Sequence, residues 1–285
     1  MTEMNGRQDS SQPLIKRLLG TLRWTKSSAV LLGLFFATIA LIIYVWWPLA
    51  EELLRYVDWR GQWWRQMDWL LLGIFLVMSL LIIGGADIRR DALIVFVGMC
   101  GGLVIESWGT QTHIWNYYTL ERPPLWIIPA WPIASLSIDR VVRMLDVAIT
   151  RGHERVVKLA YVIVFAAFAV IMLVFVAPFI DKAMTIAAIA MCVTMILLPV
   201  DRRLTLLHFT AGTGLGYFLE LWGTTRACWT YYTFETPPVF AVMAHGMAAV
   251  AFWRVGLLIP SIFMDIKNRL QRGSRAVPQE PGLER

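Results

Sequence analysis

The chain has 285 residues, of which 58% are hydrophobic and 16% charged, with a mean hydropathy of +0.59. A water-soluble domain carries about 25% charged residues. This composition therefore excludes an ordinary soluble protein and predicts an all-α integral membrane fold. The net charge of +6 gathers in alternate loops, with no basic stripe interleaved by aromatics, so no nucleic-acid partner is expected.

Residues 1–27 are polar and read as a disordered cytoplasmic tail. The first apolar run, 28–47, follows basic residues as a signal sequence would. It is longer than a typical secretory core and no small-residue cleavage site follows, so it reads as a first span. The loop 51–68 carries Trp59, Trp63 and Trp64 among acids and arginines, and looks like an interfacial amphipathic segment. A helix needs roughly 20 apolar residues to cross the hydrocarbon. Further spans are predicted at 69–86, 91–108, 125–146, 157–179, 183–200, 204–222 and 238–262, with a short charged linker at 149–158. The two spans 183–200 and 204–222 lie so close together that one of them could be re-entrant. Residues 265–285 are polar and read as a second disordered tail. Lys and Arg concentrate in the N-terminal tail, at Arg89 and Arg90, at Arg143 to Lys158, at Arg202 and Arg203, and in the C-terminal tail. By the positive-inside rule both termini are cytoplasmic, in a multi-pass plasma (inner) membrane protein. Cys100 and Cys192 fall in spans and Cys228 stands alone outside, a spacing that predicts neither disulfides nor a metal site.

Residues 106–124 return at 220–238, an offset of 114 residues, with eleven of nineteen positions identical and no gap. A fixed-period repeat dictates architecture. The offset covers four predicted spans, an even number, so the halves point the same way. The expectation is about eight transmembrane helices in two parallel-topology four-helix repeats, 28–148 and 159–264, related by an axis along the membrane normal.

Lipid-facing residues have drifted between the copies, whereas one polar and aromatic set has not. Glu106 follows Gly98 and Gly102 at four-residue steps, and Glu220 follows Gly212 and Gly216 in the same way. Residues four apart share a helix face, and small residues at that spacing let helices approach closely. Each Glu should therefore face protein near the outer membrane surface, just before a Trp-Gly that ends the span. It could serve as an intramembrane proton donor or cation ligand, or as a structural carboxylate paired with Arg122, Arg226 or loop amides. The two residues are expected to meet in one central, aromatic-walled cavity. Trp108, Trp115, Tyr117 and Tyr118 match Trp222, Trp229, Tyr231 and Tyr232. An aromatic belt would place such rings at one depth. The kept register, with Gly109/Gly223 and the paired prolines, points instead to a specific folded loop that could bind an apolar ligand or stabilise a cation. At the inner face, Asp87 with Arg140 and Asp201 with Arg254 are expected to form structural ion pairs. Two places break the symmetry: His113 corresponds to Ala227, and Trp131-Pro132 corresponds to His245-Gly246. His245 lies at a depth similar to Glu220, as a packing residue or as a general acid or base.

The run ESWGTQTHIWNYYT followed by PPLWIIPAWPI resembles integral-membrane carotenoid-biosynthesis proteins, the CruF-type carotenoid hydratases. The layout of repeated units of slightly over a hundred residues is similar, more distantly, to the heterodimeric-type lycopene cyclases. The resemblance covers residues 106–133 and part of 220–238. It implies cofactor-free, acid-initiated addition of water or ring closure on a polyene, with a membrane lipid or isoprenoid as substrate. The cyclase Pro-x-Glu-Glu is replaced by Pro129-Ala-Trp-Pro-Ile and Met243-Ala-His-Gly-Met. On this reading Glu220, Glu106 and His245 are the candidate catalytic residues and the eight matched rings the candidate substrate-binding residues. Two alternatives stand beside it. One is a parallel-repeat transporter of a small solute or cation; the other is a non-catalytic scaffold or assembly factor. No span is broken at mid-membrane by Gly or Pro in both halves, which counts against transport.

Overall fold

The computed structural model describes Lys16, Gly20, residues 23–149 and residues 153–275, with side chains described as far as Met264. The remaining residues of both expected tails lie outside the described set. Eight α-helices occur among the described residues: α1 Lys26–Arg55, α2 Trp69–Ile83, α3 Ile88–Gln111, α4 Ala130–Ala148, α5 Glu154–Val176, α6 Ala183–Leu197, α7 Arg202–Thr225 and α8 Val239–Arg275. Long runs of Leu, Ile, Val, Ala, Phe and Met supply both helix propensity and apolar surface. Three starts are set by aspartates. Asp68, Asp87 and Asp201 each accept a hydrogen bond from a first-turn amide, those of Leu71, Arg89 and Leu204, satisfying donors that the helix leaves free.

Five stretches are long and apolar enough to cross a membrane: Lys26–Arg55, Ile88–Gln111, Leu125–Ala148, Glu154–Phe179 and Val239–Met264. The helices α2 and α6 are shorter apolar rods of 15 residues each. Helix α7 spans 24 residues. The C-terminal tail expected from residue 265 is helical as far as Arg275, because α8 runs on through Pro260.

The offset of 114 carries α2, α3 and their following loops onto α6, α7 and theirs, end to end. Helices α1 and α5 correspond at a larger offset. Tyr118 Oη donates to the carbonyl of Val45, and Tyr232 Oη to that of Phe175. The difference is taken up by the Trp-rich loop after α1, where Trp59, Trp63 and Trp64 are all exposed.

The repeated loops hold the one element that the sequence does not announce. Strands β1 Trp115–Tyr117 and β2 Trp229–Tyr231 pair antiparallel, with Asn116 opposite Thr230 at the centre. Equivalent residues face each other there, so a local two-fold axis passes through that pair. The loops share their backbone irregularities too. His113 and Leu120 have φ of 63° and 61°, and their counterparts Ala227 and Phe234 have 54° and 59°. Four non-glycine residues in the left-handed region, matched two by two, mark a specified loop conformation.

At the opposite end of the bundle the expected ion pairs are not formed. Arg140, 1% exposed, binds Asp91 through both terminal nitrogens at 3.0 and 2.5 Å. Asp87 is occupied as the α3 cap, and Asp91 stands one turn further in, level with Arg140. Arg254 donates to the carbonyl of Met195 at 3.1 Å, and Asp201 caps α7.

Candidate functional site

The glycine stripes bring α3 against α4 and α7 against α8. A Cβ on Gly102 would lie 2.3 Å from Trp131 Cγ, and one on Gly216 would lie 2.5 Å from His245 Cβ. Only a bare backbone admits those two rings, and each ring then reaches the glutamate one turn along. The helices also run past the Trp-Gly pairs that were expected to end them, as far as Gln111 and Thr225. Gly109 and Gly223 lie inside them, beneath the rings of Trp115 and Trp229, where a Cβ would lie within 2.0 Å of the indole.

Glu106 and Glu220 are 3% and 4% exposed. A buried carboxylate is costly unless hydrogen-bonded, and each is met by three donors. Glu106 Oε1 accepts from Tyr117 Oη at 2.9 Å and from Trp131 Nε1 at 3.1 Å, and its Oε2 accepts from Trp115 Nε1 at 3.1 Å. Glu220 Oε1 accepts from Tyr231 Oη at 2.9 Å, and its Oε2 accepts from Trp229 Nε1 at 2.9 Å. Its third partner is His245 Nε2, 3.0 Å from Oε1. Burial, and then the charge of Glu106, push the Tyr117 phenol well above its usual pKa; burial and Glu220 do the same to Tyr231. Both phenols therefore stay protonated and donate.

The sites differ in one ligand. Indole is a donor only, so Trp131 can hold a carboxylate but exchange nothing with it. Imidazole can donate or accept, so Glu220 and His245 can pass one proton between them. The Trp131 and His245 rings stack at 5.7 Å and 18° between the two glutamates.

Both glutamates, Trp131 and His245 line one cavity of 570 Å³. Its lining is otherwise apolar over most of its length. It runs between α3 and α6 past Cys100, Val104, Ala188 and Cys192, with α8 on its far side. Five of the eight matched rings border it: Trp108, Trp115, Tyr117, Trp229 and Tyr231. The other three do not. Tyr118 and Tyr232 clamp the ends of α1 and α5. Trp222 stacks on Trp46 at 4.7 Å and donates to Asp68 at 2.8 Å. Trp108 makes the corresponding tether, from Nε1 to Thr185 Oγ1 at 3.1 Å.

A two-fold arrangement would give a matching cavity in the first copy, and among the described residues the side chains there fill the equivalent space. In the first copy Ile74 and Met78 of α2 are buried in a cluster with Ala134, Leu136 and Trp222. Their counterparts 114 residues on are Ala188 and Cys192, whose smaller side chains leave space. Leu215 of α7 packs against the same cluster; its counterpart in α3 is Gly101. Trp131 and the Ala188/Cys192 pair are the participants missing from the residues expected at the site. The offset identifies the pairs, since each is a position where the copies disagree in size or polarity.

No protein-family model matches the chain, and no curated protein or solved structure matches it either.

Proposed function

We propose that the chain is an integral membrane protein that takes an apolar lipid chain into the cavity and transfers a proton to it from the Glu220–His245 pair. The membrane reading is supported by outward-facing residues. Leu34, Phe36, Val104, Val170 and Val174 are each more than half exposed, and a patch so extensive does not face water in a monomeric soluble protein. The positive-inside bias and the local two-fold support two parallel four-helix units. Both termini are then cytoplasmic, the Glu end is extracytoplasmic, and the axis follows the membrane normal.

The observation that carries the function is the contrast within one cavity. A proton-exchanging carboxylate–imidazole pair terminates a space lined by Val, Ala, Met and Phe. Such a site suits an alkene-bearing lipid such as an isoprenoid. The pair protonates one carbon of the double bond, the carbocation forms at the other, and the faces of Trp131, Trp229 and Tyr231 stabilise it. Water or an internal alkene then completes a hydration or a ring closure. Glu106, whose third partner is the donor-only indole of Trp131, positions that ring and the loop and takes no part in the proton step. A transporter is less well supported, because the cavity that both glutamates line is apolar along the rest of its wall. Scaffolding explains neither the cavity nor the His245 substitution.

Lipid extracts of cells with and without the protein test this reading. A new or altered isoprenoid is expected from cells carrying it and should be missing with the Glu220→Gln variant. Unchanged lipids together with altered solute uptake would select the transporter.

A further inference from the structure

A second cavity, of 300 Å³, lies beneath the stacked Trp131 and His245 rings, between α3, α4 and α8. It extends away from the glutamates toward the Arg140 end and surfaces at Arg90, whose side chain is 56% exposed. The first cavity is almost wholly apolar. This one is also walled mainly by apolar side chains, but Arg90, Ser135, Asp139, His208 and His245 border it as well. His245 borders both cavities.

Two features mark it as a built polar route. The first is its sidedness. It straddles the local two-fold, yet each polar residue has an apolar counterpart in the other copy: Leu204 for Arg90, Ala249 for Ser135, Trp253 for Asp139, Ile94 for His208 and Trp131 for His245. The second is His208, which the proton step above does not use. Its Nδ1 donates to the carbonyl of Leu204 at 2.8 Å, and its ring stacks on Trp253 at 4.6 Å. That bond fixes the tautomer and leaves Nε2 as an acceptor with no protein partner among the described residues. The residue is 8% exposed and borders the cavity. An unpartnered imidazole nitrogen beside a cavity of this size can be met by water, which needs room and two to four polar partners, and Ser135, Asp139 and His245 border the same space.

We infer that this cavity is a one-sided aqueous route by which water and protons from the Arg90 end reach His245. His208 stacks on Trp253, which lies eight residues along α8 from His245, about 12 Å at 1.5 Å each, and serves as the intermediate station. Asp139 is held at the mouth by Arg90, Arg140 and Arg143 at 3.0, 2.7 and 3.0 Å. The inference rests on the proposed proton transfer for its purpose. Each proton given to an alkene carbon leaves the Glu220–His245 pair one proton short. In a hydration, water from this route bonds to the cation and its surplus proton returns to the pair. In a ring closure, a proton lost from carbon does the same, or the route replaces it. The apolar substrate and the water thus enter by separate openings.

Thiol accessibility in the full-length protein tests the route without any lipid product. Single cysteines are placed in a Cys100→Ala, Cys192→Ala, Cys228→Ala background in sealed vesicles of either orientation. A charged methanethiosulfonate that cannot cross the bilayer is applied, and it reacts only with a hydrated thiolate. Leu93→Cys, at the mouth, serves as reference for the Arg90 side. Ser135→Cys should be labelled from that side and not from the other. Ala249→Cys, at the counterpart position of Ser135 on the other side of the same cavity, should behave alike and replaces it if Ser135→Cys lowers yield. Reaction of Leu93→Cys alone, or labelling of the deeper positions from the Glu side, would overturn the route. A labelled route with no altered lipid would instead count against the proposed chemistry.

Discussion

At the scale of single residues, the two copies run a natural comparison. Glu106 and Glu220 share the same helix position, tyrosine and loop tryptophan. They differ only in whether the third partner is Trp131 or His245. Replacing either Glu by Gln turns one acceptor oxygen into a donor facing a donor. Leaving such a group unsatisfied costs about 1–3 kcal/mol, so both variants should melt at a lower temperature. Their activities should separate: Glu106→Gln keeps activity per folded molecule, while Glu220→Gln loses it. Equal activity loss in the two would contradict the asymmetric assignment. Arg140 gives a control away from the glutamates, where its removal leaves Asp139 still held by Arg90 and Arg143. Removing one partner of a buried pair costs about 3–5 kcal/mol, because the other is left charged and dry. Arg140→Ala should therefore lower the yield of folded protein in detergent, with activity per folded molecule unchanged. Normal yield would mean that the Asp91–Arg140 pair does not hold the helices. That Arg140 is structural was legible from its place at the other end of the bundle. Its partner was not. Asp87 and Asp91 are both near, and only the capping geometry, which occupies Asp87, decides between them.

At the scale of elements, the helices were legible from their apolar runs, and the register of the loops from the repeat. The β1–β2 pairing was not. Three residues such as Trp115–Tyr117 are too short for a period-two pattern to emerge, and the strand exists only because its counterpart lies across the axis. The cavity was legible only in part. The glycine stripes pointed both glutamates inward. Which side would open depended on the sizes of residues that looked like ordinary lipid-facing drift. Restoring the first-copy side chains in α6, with Ala188→Ile and Cys192→Met together, should fill the cavity. The space is already apolar, so the double variant should fold with unchanged or raised thermal stability, since filling a void regains about 20–30 cal/mol per Å² buried. Its lipid product should disappear. A variant that folds and still makes the product would show that the substrate lies elsewhere.

At the scale of the whole molecule, the repeated segments meet across a local two-fold at β1 and β2, and a few substitutions give the arrangement a direction. Those substitutions are His245, Ala188, Cys192 and Gly101 on one side and Ser135, Asp139 and His208 on the other. The Glu220–His245 pair is read from geometry alone. The proposed topology predicts that a reporter fused after Pro124 is extracytoplasmic, whereas one at the C-terminus is cytoplasmic; the same side for both would break the parallel arrangement. The central claim is that Glu220 and His245 deliver a proton from water to a carbon of an apolar chain. It is tested most directly by growing cells with the protein in heavy water and measuring non-exchangeable deuterium in the product lipid. With the intact protein, the new lipid should carry one more carbon-bound deuterium per reacted double bond than its precursor pool. With Glu220→Gln, neither that lipid nor its label should form. A product that forms without carbon-bound deuterium, or one that forms equally in the variant, would contradict the account.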